Sequence, residues 1–230
     1  MNTLIIPDIH HNIRAADKAI KEIEHDRVLF LGDYFDDYND TEVDAKYTAR
    51  WLKRRIENHP EDIFLYGNHD LSYAFPCRET YCPGWREEKQ HTVDDNLRRI
   101  HWDALKFFHR EANWLFTHAG LTKALFKGWE AKELGTFVKE SEELAQWMTR
   151  RSQRCWVTTG NFSSDTFDGP LWCRPNSSFI PIPGVNQVFG HTELREPLVI
   201  NTSSKNVCLD TRLEYVGKFD GTDLAVLYLG

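Results

Sequence analysis

Five short polar clusters carry the residue types that bind metal ions and move protons. They are Asp8-Ile9-His10, Gly32-Asp33-Tyr34-Phe35-Asp36, Gly67-Asn68-His69-Asp70, Thr117-His118-Ala119-Gly120 and Phe189-Gly190-His191-Thr192. Asp, Asn and His offer oxygen and imidazole nitrogen donors, a set that suits Mn²⁺, Fe or Zn²⁺. Glycine beside them lets the backbone turn sharply and come close to a ligand. Each cluster alone is ordinary, because Asn, Asp and Gly favour turns and a single His is usually a core residue. Their shared position is not ordinary: each follows an apolar run that reads as a strand.

The elements that must position them alternate. The pattern predicts strands over 3–7, 27–31 and 62–66, separated by helices over 15–24 and from Thr41, an N-cap, to 57. Strand, helix, strand, helix, strand argues for parallel pairing through crossovers. Chemistry then belongs beyond the carboxyl ends of the strands. Residues 70–90 read as irregular, with Pro76, Pro83 and Gly84, and 73–90 as a lid or insertion. A helix is predicted over 94–110, a strand over 113–117 and a helix over 132–150. Residues 155–183 read as a long loop, and five short apolar runs from 187 onward as an antiparallel sheet that finishes the fold. No linker divides the chain, so 1–230 is read as one domain of the α/β class.

Composition narrows the function. Lys and Arg number 28 against 35 Asp and Glu, a net charge of −7, which argues against a broad nucleic-acid surface. Hydrophobic residues at 41% exclude a disordered chain. No apolar run reaches the roughly 20 residues of a membrane span, and the amino-terminal run is too short for a signal peptide. The five cysteines are an odd number, which fits reduced thiols and a cytoplasmic location. Cys77 and Cys82 lack the second close pair of a zinc knuckle.

The ordered motifs D-x-H, G-D-x-x-D, G-N-H-D, a later His and G-H-T resemble the calcineurin-like metallophosphoesterase family, over about Asp8 to Asp210. Leu171-Trp172-Cys173-Arg174 is similar to a stretch of its phosphoprotein-phosphatase branch, including bacterial and phage serine/threonine phosphatase-like enzymes. The resemblance implies a four-layer α/β/β/α sandwich and two divalent metal ions, Mn²⁺ foremost and Fe or Zn²⁺ otherwise. It implies that Asp8 and His10 hold the first ion and that Asp33 bridges both. Asn68, His118 and His191 complete the second. His69 is the general acid, Asp36 orients it, and Arg174 grips phosphoryl oxygens. The implied reaction is hydrolysis of a phosphorylated protein, nucleotide or small ester by water activated between the ions. Diester or dinucleoside-polyphosphate hydrolysis is the alternative, and a non-catalytic protein-binding scaffold is the alternative of another class.

Two positions depart from the family pattern. Asp37 stands where that branch has a phosphate-binding Arg, and Glu193 where many members have a second metal-binding His. Asp37 either faces solvent or disfavours a phosphate dianion, and Glu193 is a candidate replacement ligand. Tyr34, Phe35, Tyr38 and Trp85 form either an aromatic wall for a substrate ring or part of the packing. Asp70 is read as orienting the Asn68 loop or capping a turn, and His11 as a surface residue or a substrate contact. The net negative charge does not exclude phosphate, since Asp8 and Asp33 offset only half of the charge that two divalent ions bring.

Overall fold

The computed structural model describes residues 1–78, 80–153, 155–160 and 168–230. The first part of the chain runs β1 (Thr3–Ile6), α1 (Ile13–Glu22), β2 (Arg27–Phe30), α2 (Glu42–Asn58), β3 (Ile63–Leu65), α3 (Asn68–Ala74), α4 (Glu87–Asp94), α5 (Arg99–Trp102) and β4 (Leu105–Lys106). Then come β5 (His109–Glu111), β6 (Trp114–Phe116), α6 (Leu134–Thr149), β7 (Asn186–Phe189), β8 (Leu198–Asn201), β9 (Lys205–Cys208), β10 (Tyr215–Phe219) and β11 (Leu224–Tyr228). One sheet has the order β11-β10-β1-β2-β3-β4 and the other β5-β6-β7-β9-β8.

The strands read as continuous apolar runs because both of their faces are buried. In β1, Leu4 and Ile6 pack towards Ala16 and Ala19 of α1 and Ala45, Ala49 and Leu52 of α2. Ile5 joins Leu29, Leu31, Trp114, Phe116, Val188 and Val207 in the layer between the sheets. On the far side Leu115 shares a cluster with Leu134, Phe137 and Ala145 of the α6 segment. The result is the expected sandwich of helices, two sheets and helices. The strands β1, β2 and β3 pair in parallel, as the alternation predicts, and β4 adds a further parallel pairing to β3. Thr41 caps α2 in a reciprocal box: the Asp44 N–H donates to Thr41 Oγ1, and the Thr41 N–H donates to Asp44 Oδ2 at 2.9 Å.

Three expectations change. No helix spans 94–110: α4 ends at Asp94, and the later part of that stretch becomes β4 and β5. Tertiary pairing overrides the helical spacing, because β3 takes β4 as a partner and Glu142 of α6 accepts the Phe107 and Phe108 N–H groups at 2.8 and 3.0 Å. Residues 70–90 hold α3 and α4 rather than only irregular chain. The last strands do not form a separate antiparallel sheet. β7 and β9 run parallel in the second sheet, and β10 crosses back to pair with β1 in the first. Short apolar runs carry no sign of which sheet they join. The described part of 155–183 has neither helix nor strand. Residue 79 of the expected lid and 161–167 of the expected loop lie outside the described residues.

Candidate metal centre and catalytic cleft

Both sheets deliver their strand ends to one place. Asp8 follows β1, Asp33 follows β2, Asn68 opens α3 after β3, His118 follows β6 and His191 follows β7. The backbone is forced there. His10, Asp33, Asp36 and His191 are non-glycine residues with φ of 42°, 50°, 63° and 69°. Such left-handed conformations cost on the order of 1 kcal/mol each and persist only where surrounding contacts impose them. Those contacts are visible. The Ile9 and His10 N–H groups donate to the Asp33 carbonyl at 3.0 and 2.9 Å. The Asp70 carboxylate accepts from the N–H groups of Asp33, Tyr34 and Gly67 at 2.8, 2.9 and 2.8 Å, so Asp70 orients the loops on both sides of the site. Two glycines matter by their lack of a side chain: a Cβ at Gly190 would meet the Asp8 carboxylate, and one at Gly67 the Asp33 carboxylate.

Six of the nine side chains singled out in sequence come together in two linked groups, and Asp36, His69 and Arg174 line the cleft beside them. Asp8, His10 and Asp33 place donor atoms within 4.8 Å of one another, and so do Asp33, His118 and His191. Asp33 belongs to both sets. His10 Nδ1 donates to the Asp36 carbonyl at 2.5 Å, and His118 Nδ1 to the Leu31 carbonyl at 3.0 Å. These bonds fix the rings so that Nε2 of each faces the carboxylates, as the outer partners of ligating histidines do. His118 Nε2 lies 3.3 Å from Asp33 Oδ2, 2.9 Å from Asn68 Oδ1 and 3.2 Å from His191 Nδ1. The backbone N–H of His191 donates to Asp8 at 3.0 Å, which joins the two groups. His191 Nε2 is buried with no hydrogen-bond partner. A shared carboxylate, an orphaned buried imidazole nitrogen and glycine-cleared oxygens together fit two divalent ions.

Electrostatics points the same way. Burial, then the Asp210 carboxylate, pushes Asp8 up to about 8. Burial opposes the charged forms of His10 and His118, yet Asp33 and Asp8 outweigh it and raise them to about 9 and about 10. Burial also opposes ionisation of Asp33, but His118, His69 and His10 hold its carboxyl far below the usual carboxylate range. Burial and the neighbouring His118 charge lower His191 well below its ordinary value. In the metal-free protein His10 and His118 favour the protonated form beside Asp33 and Asp8, whereas His191 favours the neutral one. A divalent ion would displace those protons.

A cleft of about 740 Å³ opens on this cluster. His69 lines it, and its Nδ1 lies 3.0 Å from Asp36 Oδ2. The backbone N–H of His69 donates to Asp33 Oδ1 at 2.9 Å. Arg174 is exposed on the cleft wall, its backbone tied to Ser178 Oγ at 3.0 Å. Tyr34 and Phe35 are wholly buried in the core, whereas Tyr38 and Trp85 line the cleft. His11 lies 2.8 Å from Thr48 Oγ1 and 2.9 Å from Asp40 Oδ2. Cys82 packs on Asn68, donating to its carbonyl at 3.1 Å, and all five cysteines are free.

Among the charged residues that line the cleft, sequence reasoning missed Asp40, Arg86, Asp210 and Arg212. Arg212 binds Asp37 through two contacts of 3.0 and 3.1 Å and reaches Glu193 at 3.4 Å. Both departures from the family pattern therefore meet one guanidinium, and Glu193 is absent from the ligand groups found among the described residues. The signal for Asp210 was present, since it follows the β9 run as Asp33 follows β2. Nothing local marked Arg212, whose partners are 19 and 175 residues away in sequence.

The calcineurin-like phosphoesterase family model matches residues 1–196. The chain belongs to that family of metal-dependent enzymes and is a phosphoester hydrolase. Among solved structures it is similar to the cold-active protein tyrosine phosphatase of the psychrophile Shewanella sp., with a TM-score of 0.61 and 14% identity over 98% of this chain and 80% of that one. A metallophosphoesterase from Sphaerobacter thermophilus gives 0.56 and 13% identity over 100% of this chain and 89% of that one. At these identities the likeness concerns the fold. No curated protein matches the chain.

Proposed function

We propose that this chain is a phosphomonoesterase that works with two divalent ions, Mn²⁺ first among them. Asp8, His10 and Asp33 would hold one, and Asp33, Asn68, His118 and His191 the other. Bound there, two divalent ions supply Lewis acidity: they acidify water and offset the charge of the phosphoryl group. The chain's own residues supply the rest. Arg174 grips phosphoryl oxygens through its planar fork. His69 gives the proton on its cleft-facing Nε2 to the departing oxygen, a step worth roughly 10²–10⁴-fold for a poor leaving group. Asp36 accepts a hydrogen bond from Nδ1–H and fixes the orientation of the ring. The observation that carries this reading is His69 beside two donor sets that share Asp33.

The monoester preference rests on the cleft's cations. Arg86, Arg174 and Arg212 all line it, and the charge of Asp37 is met by Arg212. Tyr38 and Trp85 along the same wall favour a substrate with a planar ring, such as an aryl phosphate or a nucleotide. The segment with Pro83, Gly84 and Trp85 would cover the bound substrate. Five free thiols support a cytoplasmic setting. No helix among the described residues is long and apolar enough to cross a membrane. The test is turnover of p-nitrophenyl phosphate by Mn²⁺-loaded protein. Faster turnover of bis-p-nitrophenyl phosphate would replace the monoesterase reading with a diesterase one.

A further inference from the structure

Lys89 lies outside all five motifs, on α4, and its side chain is 1% exposed. A buried lysine is expensive unless its charge is met. Here its Nζ donates to Asp36 Oδ1 at 2.5 Å and to Asp40 Oδ2 at 2.7 Å. Asp40 is held in turn by Arg86, whose Nη2 lies 2.9 Å from Asp40 Oδ1. The ammonium is thus fixed between two carboxylates and cannot swing away from either. The hydroxyl of Tyr73 also donates to Asp36 Oδ1, at 2.6 Å. One oxygen of Asp36 is therefore filled by Lys89 and Tyr73, and the other faces His69 Nδ1 at 3.0 Å.

We propose that Lys89 is a positioning residue for the proton donor: by pinning Asp36 Oδ1 it aims Asp36 Oδ2 at the His69 ring. The proposal rests on the reading of His69 as that donor. A carboxylate held at one oxygen by a charge-assisted bond loses the rotation that would let its other oxygen drift from the imidazole. With Asp36 fixed, the Nδ1 proton of His69 stays in place and Nε2 stays aimed into the cleft. Without Lys89, Tyr73 alone holds Oδ1, and Asp36 can turn its charge towards water. Lys89 touches neither the proposed ions nor the substrate, so its loss should be felt only where proton donation limits the rate.

The experiment compares wild type, Lys89→Met, Lys89→Arg and His69→Ala, all Mn²⁺-loaded, on phenyl phosphate and p-nitrophenyl phosphate. Phenolate is the poorer leaving group and needs the proton more. Lys89→Met is expected to lose about 10–100-fold in kcat on phenyl phosphate, less than complete loss of a general acid. On p-nitrophenyl phosphate it should stay within about threefold, with two metal equivalents retained. Lys89→Arg, which keeps the charge, should restore most of the phenyl phosphate rate. Equal losses on both substrates, or none on either, would overturn the proposal and leave Lys89 as part of the packing. If His69→Ala itself shows no dependence on the leaving group, the donor reading fails first and the proposal falls with it. That outcome is distinct from failure at Lys89 alone. Should Lys89→Met not fold, Lys89→Gln keeps a donor without the charge and is judged by the same ratio. If neither neutral variant holds a fold with two metals, Lys89 serves the fold and the proposal is overturned.

Discussion

Replacing Asp33 by Asn tests the centre at its most shared atom pair. Asp33 is the one residue common to both donor groups. Its Oδ2 lies 3.3 Å from His118 Nε2 and 3.7 Å from His10 Nε2, and its Oδ1 accepts the His69 N–H at 2.9 Å. Asn keeps the volume but removes one of the two formal negative charges that Asp8 and Asp33 bring to six donor residues. It also turns one oxygen into an N–H donor that faces the same imidazoles. Loss of an outer partner of a metal ligand already costs about 10–100-fold in affinity, so loss of a shared ligand should cost at least about 100-fold at each ion. A factor of about 100 is roughly 2.7 kcal/mol of binding. The stabilisation that metal gives to the folded state shrinks by that amount for each ion, about 5.4 kcal/mol for two, when metal is in excess. Isothermal titration with Mn²⁺, metal content after gel filtration and melting with and without metal each read the effect. A variant that still holds two ions at wild-type affinity would refute the shared-ligand geometry and with it the assignment of both groups.

Further outcomes follow from the same geometry. Gly190→Ala places a methyl against the Asp8 carboxylate, so it should weaken the first ion site at least about tenfold with little change in the second, measured as metal stoichiometry. Metal loading should release protons and tighten as pH rises from about 7 to about 10. The groups that must give them up are Asp8, held at about 8, and His10 and His118, held at about 9 and about 10. Titration in buffers of different ionisation enthalpy counts those protons, and no release near pH 7 would contradict the electrostatic account. Arg174→Ala should raise KM for a monoester about tenfold or more with metal content unchanged. Arg212→Ala leaves Asp37 and Glu193 uncompensated on the cleft rim and should raise KM more for a dianionic monoester than for a singly charged diester. Equal effects on the two would remove the charge argument.

The candidate ligands were legible because each obeys a local rule: an apolar strand, a glycine or turn residue, then a donor. That rule located Asp8, Asp33, Asn68, His118 and His191 without any knowledge of which strands are neighbours. It also gave the parallel core, since β1, β2 and β3 are separated by helices whose apolar positions are evident. What escaped depends on pairing at a distance. The stretch at 94–110 has helical spacing, but Leu105 has a strand edge beside it and Phe107 a glutamate to receive its N–H. β10 and β11 carry no mark that sends them to the first sheet. Lys89 reads as one more charge on a polar helix, yet it is 1% exposed, because Asp36 and Asp40 reach it from 53 and 49 residues away.

The carboxylates around the cleft sort by what already compensates them. Asp37 has Arg212, Asp40 has Arg86 and Lys89, and Asp36 has Lys89. Asp70 has three backbone N–H groups. Among the described residues no Lys or Arg pairs with Asp8 or Asp33, which have only histidines, and Asp210 forms no ion pair. A chain with a net charge of −7 thus meets most acidic charge at its cleft with a lysine, an arginine or a set of donors, and leaves Asp8 and Asp33 to histidines whose protons a divalent ion would displace. Uncompensated buried charge is destabilising unless a cation is supplied. The acidity of the whole molecule is therefore a poor guide to its ligand. The informative quantity is the local remainder at Asp8, Asp33 and Asp210. On that count Asp210→Asn should lower Asp8 towards its ordinary range in the metal-free protein, because one of the carboxylates that raise it is gone. It should also reduce the number of protons released on loading. A proton count equal to that of wild type would show that burial alone holds Asp8 up, and that Asp210 does not belong to the electrostatic unit of the centre.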